Sequence, residues 1–119
     1  MNYKFTAEFE KDFKRLLKRF KTLEEDFETL KKYHIELFHN KNIPGPLLIP
    51  GFCTNTMQSY KVKKFASRSL KNRGSNSGLR VIYVFNRELD EITFIEIYFK
   101  GDQENEDKIR LKKWISFQN

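Results

Sequence analysis

Large apolar residues recur at three- and four-residue steps through the first part of the chain. They are Phe5, Phe9, Phe13, Leu16, Leu17 and Phe20. This spacing predicts one apolar face of an amphipathic helix. A weak alternation over residues 2–6 predicts a short strand before it. A second apolar stripe comprises Leu23, Phe27, Leu30, His34, Leu37 and Phe38. It predicts a second helix that ends near Asn40, and the short link at Lys21 makes the two helices an antiparallel αα-hairpin.

The pattern changes to strands in the second half of the chain. Residues 41–58 are expected to form a loop, because Pro44, Pro46 and Pro50 argue against a central strand. Residues 60–65, 79–85 and 91–100 each predict a strand, and the last two form a hairpin. In the last strand, Thr93, Ile95, Ile97 and Phe99 are assigned to one face, with Phe94, Glu96, Tyr98 and Lys100 on the other. Residues 104–115 predict a short helix anchored by Ile109, Trp114 and Ile115.

These elements predict an α+β fold in one domain, residues 1–119. It has a short N-terminal strand, an antiparallel αα-hairpin packed on an antiparallel sheet, and a short C-terminal helix. Helices are expected on one sheet face only, with Val62, Val81, Ile95 and Ile97 packed on the hairpin. The opposite face would then present a shallow groove. Its predicted lining is Lys61, Lys63, Arg80, Tyr98 and Lys100.

Composition excludes several other classes. Cys53 is the only cysteine, so neither a disulfide framework nor a cysteine-based zinc site is expected within one chain. The chain has no run of 18 apolar residues and its start lacks the apolar core of a signal peptide. We therefore expect a cytoplasmic protein. His34 and His39 are interpreted as packing and capping residues, so no metal or cofactor is predicted.

Positive charge is concentrated in the middle of the chain. No acidic residue occurs between Glu36 and Glu88, and that stretch holds nine cations, more than the net charge of +7 for the whole chain. A basic patch of this kind is typical of proteins that bind a polyanion. The alternative is a solvated basic loop. Within the stretch, Lys64, Arg68, Lys71 and Arg73 are the predicted RNA-binding residues.

Four short motifs resemble the RelE/ParE toxins of type II toxin–antitoxin modules, over nearly the whole chain. They are Phe9-x-x-Asp12-Phe13-x-x-Leu16, Tyr60-Lys61-Val62-Lys63, Gly78-Leu79-Arg80-Val81-Ile82-Tyr83 and Ile97-Tyr98-Phe99-Lys100-Gly101-Asp102-x-Glu104-Asn105. The RelE branch cleaves mRNA in the ribosomal A site. The resemblance therefore implies a metal-independent endoribonuclease that inhibits translation, with Lys61, Lys63 and Arg80 at the basic catalytic positions. It also implies an acidic antitoxin partner in a hetero-oligomer, ribosome and mRNA as targets, and no membrane partner.

The chemistry of such a site needs three roles. The ribose 2′-hydroxyl must lose its proton, the phosphorane charge must be neutralised and the 5′-oxygen must be protonated. A lysine among cations is expected to have a lowered pKa and act as the base.

The sequence departs from the RelE branch after the last strand. That branch carries a further arginine and a tyrosine there, whereas this chain has an acidic run over residues 101–107. Tyr98 and Lys100 are the candidate substitutes, and the acidic run is otherwise expected to cap the last helix. Two alternatives stay open: a ParE-like inhibitor of DNA gyrase without catalytic activity, and a non-catalytic basic nucleic-acid-binding module.

Overall fold

A computed structural model describes residues 1–63 and 78–118. The helices are α1 (Ala7–Leu17), α2 (Leu23–Leu30), α3 (Leu37–Lys41) and α4 (Lys108–Phe117), and a π-helical segment (Lys31–Glu36) joins α2 to α3. The strands are β1 (Asn2–Phe5), β2 (Leu47–Leu48), β3 (Met57–Val62), β4 (Leu79–Asn86) and β5 (Glu91–Phe99). The predicted α+β class, with its N-terminal strand, helical hairpin and C-terminal helix, is confirmed.

The five strands form one sheet in the order β1-β5-β4-β3-β2. β1 runs parallel to β5, and the other neighbours are antiparallel. The prediction of a loop over residues 41–58 was incomplete, because Leu47 and Leu48 pair with Lys61 and Tyr60 of β3. The pairing is confined to the sheet edge, which is where proline-flanked residues can join a sheet.

The helical hairpin covers one face of the sheet. Thr6 caps α1 by accepting a hydrogen bond from the Phe9 backbone N–H at 3.1 Å. Phe9 and Phe27 then pack their rings on Phe94 of β5, with centroids 5.4 and 4.8 Å away. Aromatic pairs at these separations add stability beyond their buried area. The hairpin thus fixes the position of β5, the strand that pairs with β1.

A β-bulge interrupts the alternation of β5. Ile82 lies opposite Glu96, whereas its neighbour Tyr83 lies opposite Phe94, so Ile95 is the extra residue. The predicted faces were therefore wrong for Phe94 and Ile95: Phe94 packs against the hairpin and Ile95 packs in a second core on the opposite face. Side chains after a bulge no longer continue the alternation of those before it. Ile97, after the bulge, lies on its predicted face, whereas Ile95, at the bulge, lies on the other face.

Helix α4 covers the face that was expected to be open. Leu111 and Ile115 are buried there against Ile82, Val84 and Ile95. The expectation that all helices lie on one face was wrong, and so was Ile109 as an anchor, since 70% of it is exposed. Within the described residues, none of the helices is long and apolar enough to span a bilayer.

Candidate functional site

Three of the predicted site residues lie together on the central strands. Arg80 of β4 is directly opposite Tyr98 of β5, and Lys61 of β3 is opposite Ile82 of β4. Alternation along the strands places Lys61, Arg80 and Tyr98 on the sheet face that α4 covers. The sheet therefore brings two cations and a phenol together, as the sequence predicts, beneath the C-terminal part of the chain.

Lys63 and Lys100 lie at the ends of the strands that carry this group. Lys63 follows β3 and is exposed, and its backbone carbonyl accepts a hydrogen bond from the Arg80 guanidinium at 3.2 Å. Lys100 follows β5, is exposed, and donates its backbone N–H to the carbonyl of Gly78 at 2.8 Å. Lys63, Arg80 and Lys100 form no ion pair with a carboxylate of the described residues. The predicted RNA-binding residues Lys64, Arg68, Lys71 and Arg73 lie outside the described part of the chain.

Lys61 is paired with a carboxylate whose position near it was not predicted from the sequence. Its Nζ donates to Oε1 of Glu106 at 2.6 Å, and the two side chains are 14% and 8% exposed. Burial works to lower the pKa of Lys61, but the hydrogen bond and charge of Glu106 outweigh it and the pKa is raised. The expectation of a lowered pKa was wrong, and Lys61 keeps its proton at neutral pH.

Tyr98 presents a hydroxyl that is buried beside this pair. The residue is 4% exposed, and its hydroxyl donates to no acceptor among the described residues. Burial raises the pKa of Tyr98, while the nearby positive charge of Lys61 works in the opposite direction. The phenol therefore keeps its proton at neutral pH and has an unused donor, which is the state that a general acid requires.

A second acidic residue holds the segment that carries Glu106. Glu96 of β5 is 3% exposed, and its carboxylate accepts hydrogen bonds from the Gln103 amide and from the Asp107 backbone N–H, both at 2.8 Å. Burial raises the pKa of Glu96, and those two hydrogen bonds oppose the rise. Asp107 in turn caps α4 by accepting from the Arg110 backbone N–H at 3.0 Å. The capping role expected for the acidic run is confirmed for Asp107.

The histidines belong to the packing of the hairpin. His39 Nε2 lies 2.9 Å from the Tyr83 hydroxyl, and its ring lies 4.2 Å from that of Phe85. Burial lowers the pKa of His39 to about 4 and also lowers that of His34. The described residues contain no cluster of three or more histidine, cysteine or acidic side chains that could hold a metal ion.

Comparison with known proteins adds a structural likeness. No protein-family model matches the chain. No curated protein matches its sequence. Among solved structures, the chain is similar to one in the archaeal RelE–RelB complex from Pyrococcus horikoshii OT3. The two share 17% identity with a TM-score of 0.48, over 84% of this chain and 94% of that chain. At this identity residue roles do not transfer between the two chains.

Proposed function

We propose that this chain is the toxin of a type II toxin–antitoxin module and cleaves mRNA on the ribosome, acting in the cytoplasm. The observation that carries the proposal is the Tyr98 hydroxyl, a buried and unused proton donor next to Lys61 and across from Arg80. Cleavage of RNA by its own 2′-hydroxyl needs this combination of positive charge and a proton donor. The motif resemblance to the RelE branch supports the same reaction.

Each residue has a distinct part in the proposed reaction. The 2′-hydroxyl attacks the adjacent phosphorus and its proton passes to solvent. Lys61 and Arg80 neutralise the charge that develops on the phosphorane oxygens, as preorganised donors do. Tyr98 protonates the departing 5′-oxygen, which leaves a 2′,3′-cyclic phosphate and a free 5′-hydroxyl. Lys63 and Lys100, exposed at the strand ends, bind flanking phosphates of the mRNA.

The antitoxin is proposed to bind two exposed apolar surfaces. Leu47 and Leu48 are each about half exposed on the edge strand β2. A groove of about 730 Å³ between α1 and α2 also opens to solvent, with Phe5, Phe13 and Leu17 among its lining residues. Exposed apolar patches of this kind mark protein interaction sites. An acidic antitoxin would add contacts to the unpaired cations at the strand ends.

The test compares toxicity and cleavage in three site variants and one control. Lys61→Ala, Arg80→Ala and Tyr98→Phe should each lower ribosome-dependent mRNA cleavage by about a hundredfold to a thousandfold, the usual loss for one transition-state donor. Lys18→Ala removes an exposed cation at the C-terminal end of α1 and should cleave normally. Primer extension on mRNA after brief induction measures the cuts. If Lys18→Ala and the site variants behave alike, the proposed site is wrong.

A ParE-like gyrase inhibitor is the second candidate. The observation in its favour is the closed site, because Lys61 is already neutralised by Glu106 and is 14% exposed. Inhibition of gyrase supercoiling by the purified chain, with no cuts in mRNA, would decide for this candidate. Binding to RNA with neither activity would leave the basic nucleic-acid-binding module.

A further inference from the structure

The contact between Glu106 and Lys61 differs from an ordinary surface ion pair. Exposed pairs are screened by water and contribute little. Here the ammonium and carboxylate are 2.6 Å apart, and at least 86% of each side chain is buried. Removal of one partner from such a pair leaves a poorly solvated charge. The cation proposed to bind the scissile phosphate is thus occupied by the chain's own carboxylate.

The segment with Glu106 is tied down at both ends. Before it, Gln103 donates to the buried Glu96, and Asp102 forms an ion pair with Arg19. After it, Asp107 begins α4, which packs on the sheet through Leu111 and Ile115. Between these anchors the chain forms no helix or strand. Glu106 is therefore presented to Lys61 by a short irregular segment rather than by a rigid element.

A carboxylate oxygen and a phosphate oxygen make the same kind of bond to an ammonium. Both accept charge-assisted hydrogen bonds of about 2.6–2.9 Å. The Glu106 oxygen therefore lies where a phosphate oxygen bound by Lys61 would lie. The unused Tyr98 hydroxyl is beside the same cation and faces no acceptor among the described residues.

We propose that Glu106 is an internal competitor for the phosphate site, and that residues 104–106, between the two anchors, close the site until RNA displaces them. This regulation rests on the proposed function. The exchange is chemically balanced, because Lys61 releases the Glu106 carboxylate to water and binds an RNA phosphate in its place. The RNA backbone brings several phosphates at once, so contacts at Lys63 and Lys100 compensate for the loss of the Glu106 bond. A free phosphate group lacks those contacts and leaves the site closed.

The experiment uses two variants with the same change of charge. Glu106→Gln weakens the pair with Lys61, and Glu104→Gln removes an exposed carboxylate two residues earlier. The probe is a fluorescein-labelled single-stranded RNA of about ten nucleotides with 2′-O-methyl groups, which prevent cleavage. We expect Glu106→Gln to bind this RNA about tenfold more tightly by fluorescence anisotropy, with less than a threefold change for Glu104→Gln. In a Lys61→Ala background the gain from Glu106→Gln should disappear.

A second readout reports closure without RNA. Acetic anhydride acylates free amines, and mass spectrometry gives the rate at Lys61 relative to the exposed Lys63. The ratio should rise several-fold in Glu106→Gln and stay constant in Glu104→Gln, with far-ultraviolet circular dichroism confirming that both variants are folded. An unchanged ratio would overturn the closure, whatever the RNA result.

The outcomes separate this inference from the proposed function. If all forms bind RNA equally well, Glu106 is no competitor, although the RNA site remains. A loss of mRNA cleavage in Glu106→Gln at unchanged RNA affinity would overturn the competitor role and identify Glu106 as the base. If Lys61 becomes reactive in Glu106→Gln but no form binds RNA or cuts mRNA, the closure stands and the nuclease proposal is wrong.

Discussion

The ion pair between Arg110 and Asp12 joins two helices that lie on opposite faces of the sheet. Substitution of Arg110 therefore tests how these helices are placed relative to each other. Arg110 of α4 donates to Asp12 of α1 at 2.6 Å and to the Ile95 carbonyl, within the bulge, at 3.1 Å. The side chains of Arg110 and Asp12 are 17% and 6% exposed. Arg110→Met keeps the apolar stem of the side chain and removes the charge.

The expected cost follows from what remains around Asp12. Breaking a buried pair from one side costs about 3–5 kcal/mol, because the other charge stays buried. Arg15 lies 3.2 Å from the same carboxylate and compensates in part, although its own side chain is 72% exposed. We therefore expect Arg110→Met to lower the free energy of unfolding by about 3 kcal/mol. For a domain of this size that corresponds to a fall in Tm of about 10 °C.

Urea unfolding followed by circular dichroism measures the change at constant m-value. Arg15→Met is the matched control, and it should cost less than about 1 kcal/mol, as exposed ion pairs do. Asp12→Ala combined with Arg110→Met should cost less than the sum of the single changes, because the two residues share one interaction. Equal and small effects of Arg110→Met and Arg15→Met would refute the assignment of Arg110 as the buried partner.

Two further predictions concern buried polar groups. His39 has a pKa of about 4 in the folded chain against 6.5 for the free side chain. As the pH falls below 6.5, the unfolded chain protonates His39 before the folded chain does. The folded state therefore keeps its full stability above pH 6.5 and loses part of it as the pH falls towards 4. The full pKa shift corresponds to about 3 kcal/mol of unfolding free energy, and the partial exposure of His39 reduces the expected loss to about 1–2 kcal/mol. The measurement is the unfolding free energy as a function of pH, compared between the wild type and His39→Gln. Tyr98→Phe removes a buried hydroxyl that donates to no described acceptor, so it should change stability by less than about 1 kcal/mol in urea unfolding. A loss above 1 kcal/mol would show that the hydroxyl has a partner.

Local patterns predict the helical hairpin and the strands well, because each depends on short-range periodicity. The steps from Phe9 to Leu16 repeat at helical spacing, and both residues are buried as that spacing requires. The same reasoning fails at Ile95. Its alternation looks regular in sequence, but the bulge is set by pairing with β4 and by the hydrogen bonds that Thr6 and Arg110 donate to the Ile95 carbonyl. Such tertiary partners leave no trace in the alternation of β5 itself.

The site was predicted in part for the same reason. Lys61, Arg80 and Tyr98 follow from strand alternation, and their grouping needed only the order of three consecutive strands. Glu106 could not be placed, because it meets Lys61 across 45 residues and approaches from a segment without regular structure. The available signal was the acidic run itself, which follows a strongly basic stretch and has charges of the sign that Lys61 requires.

The pairing of Lys61 with Glu106 changes what the net charge says about function. A basic stretch is evidence for a polyanion partner only through the cations that the fold leaves unpaired, since a paired cation adds little potential at the surface. In the described part of the chain, Lys61 is paired with Glu106. Lys63 after β3, Arg80 on β4 and Lys100 after β5 have no carboxylate partner there. Under the proposed function, Lys63 and Lys100 mark one end of the sheet as the surface where an RNA backbone would first bind. The buried cation would then be reached only after Glu106 is displaced, so that affinity would be set at the strand ends and reactivity at Lys61, Arg80 and Tyr98.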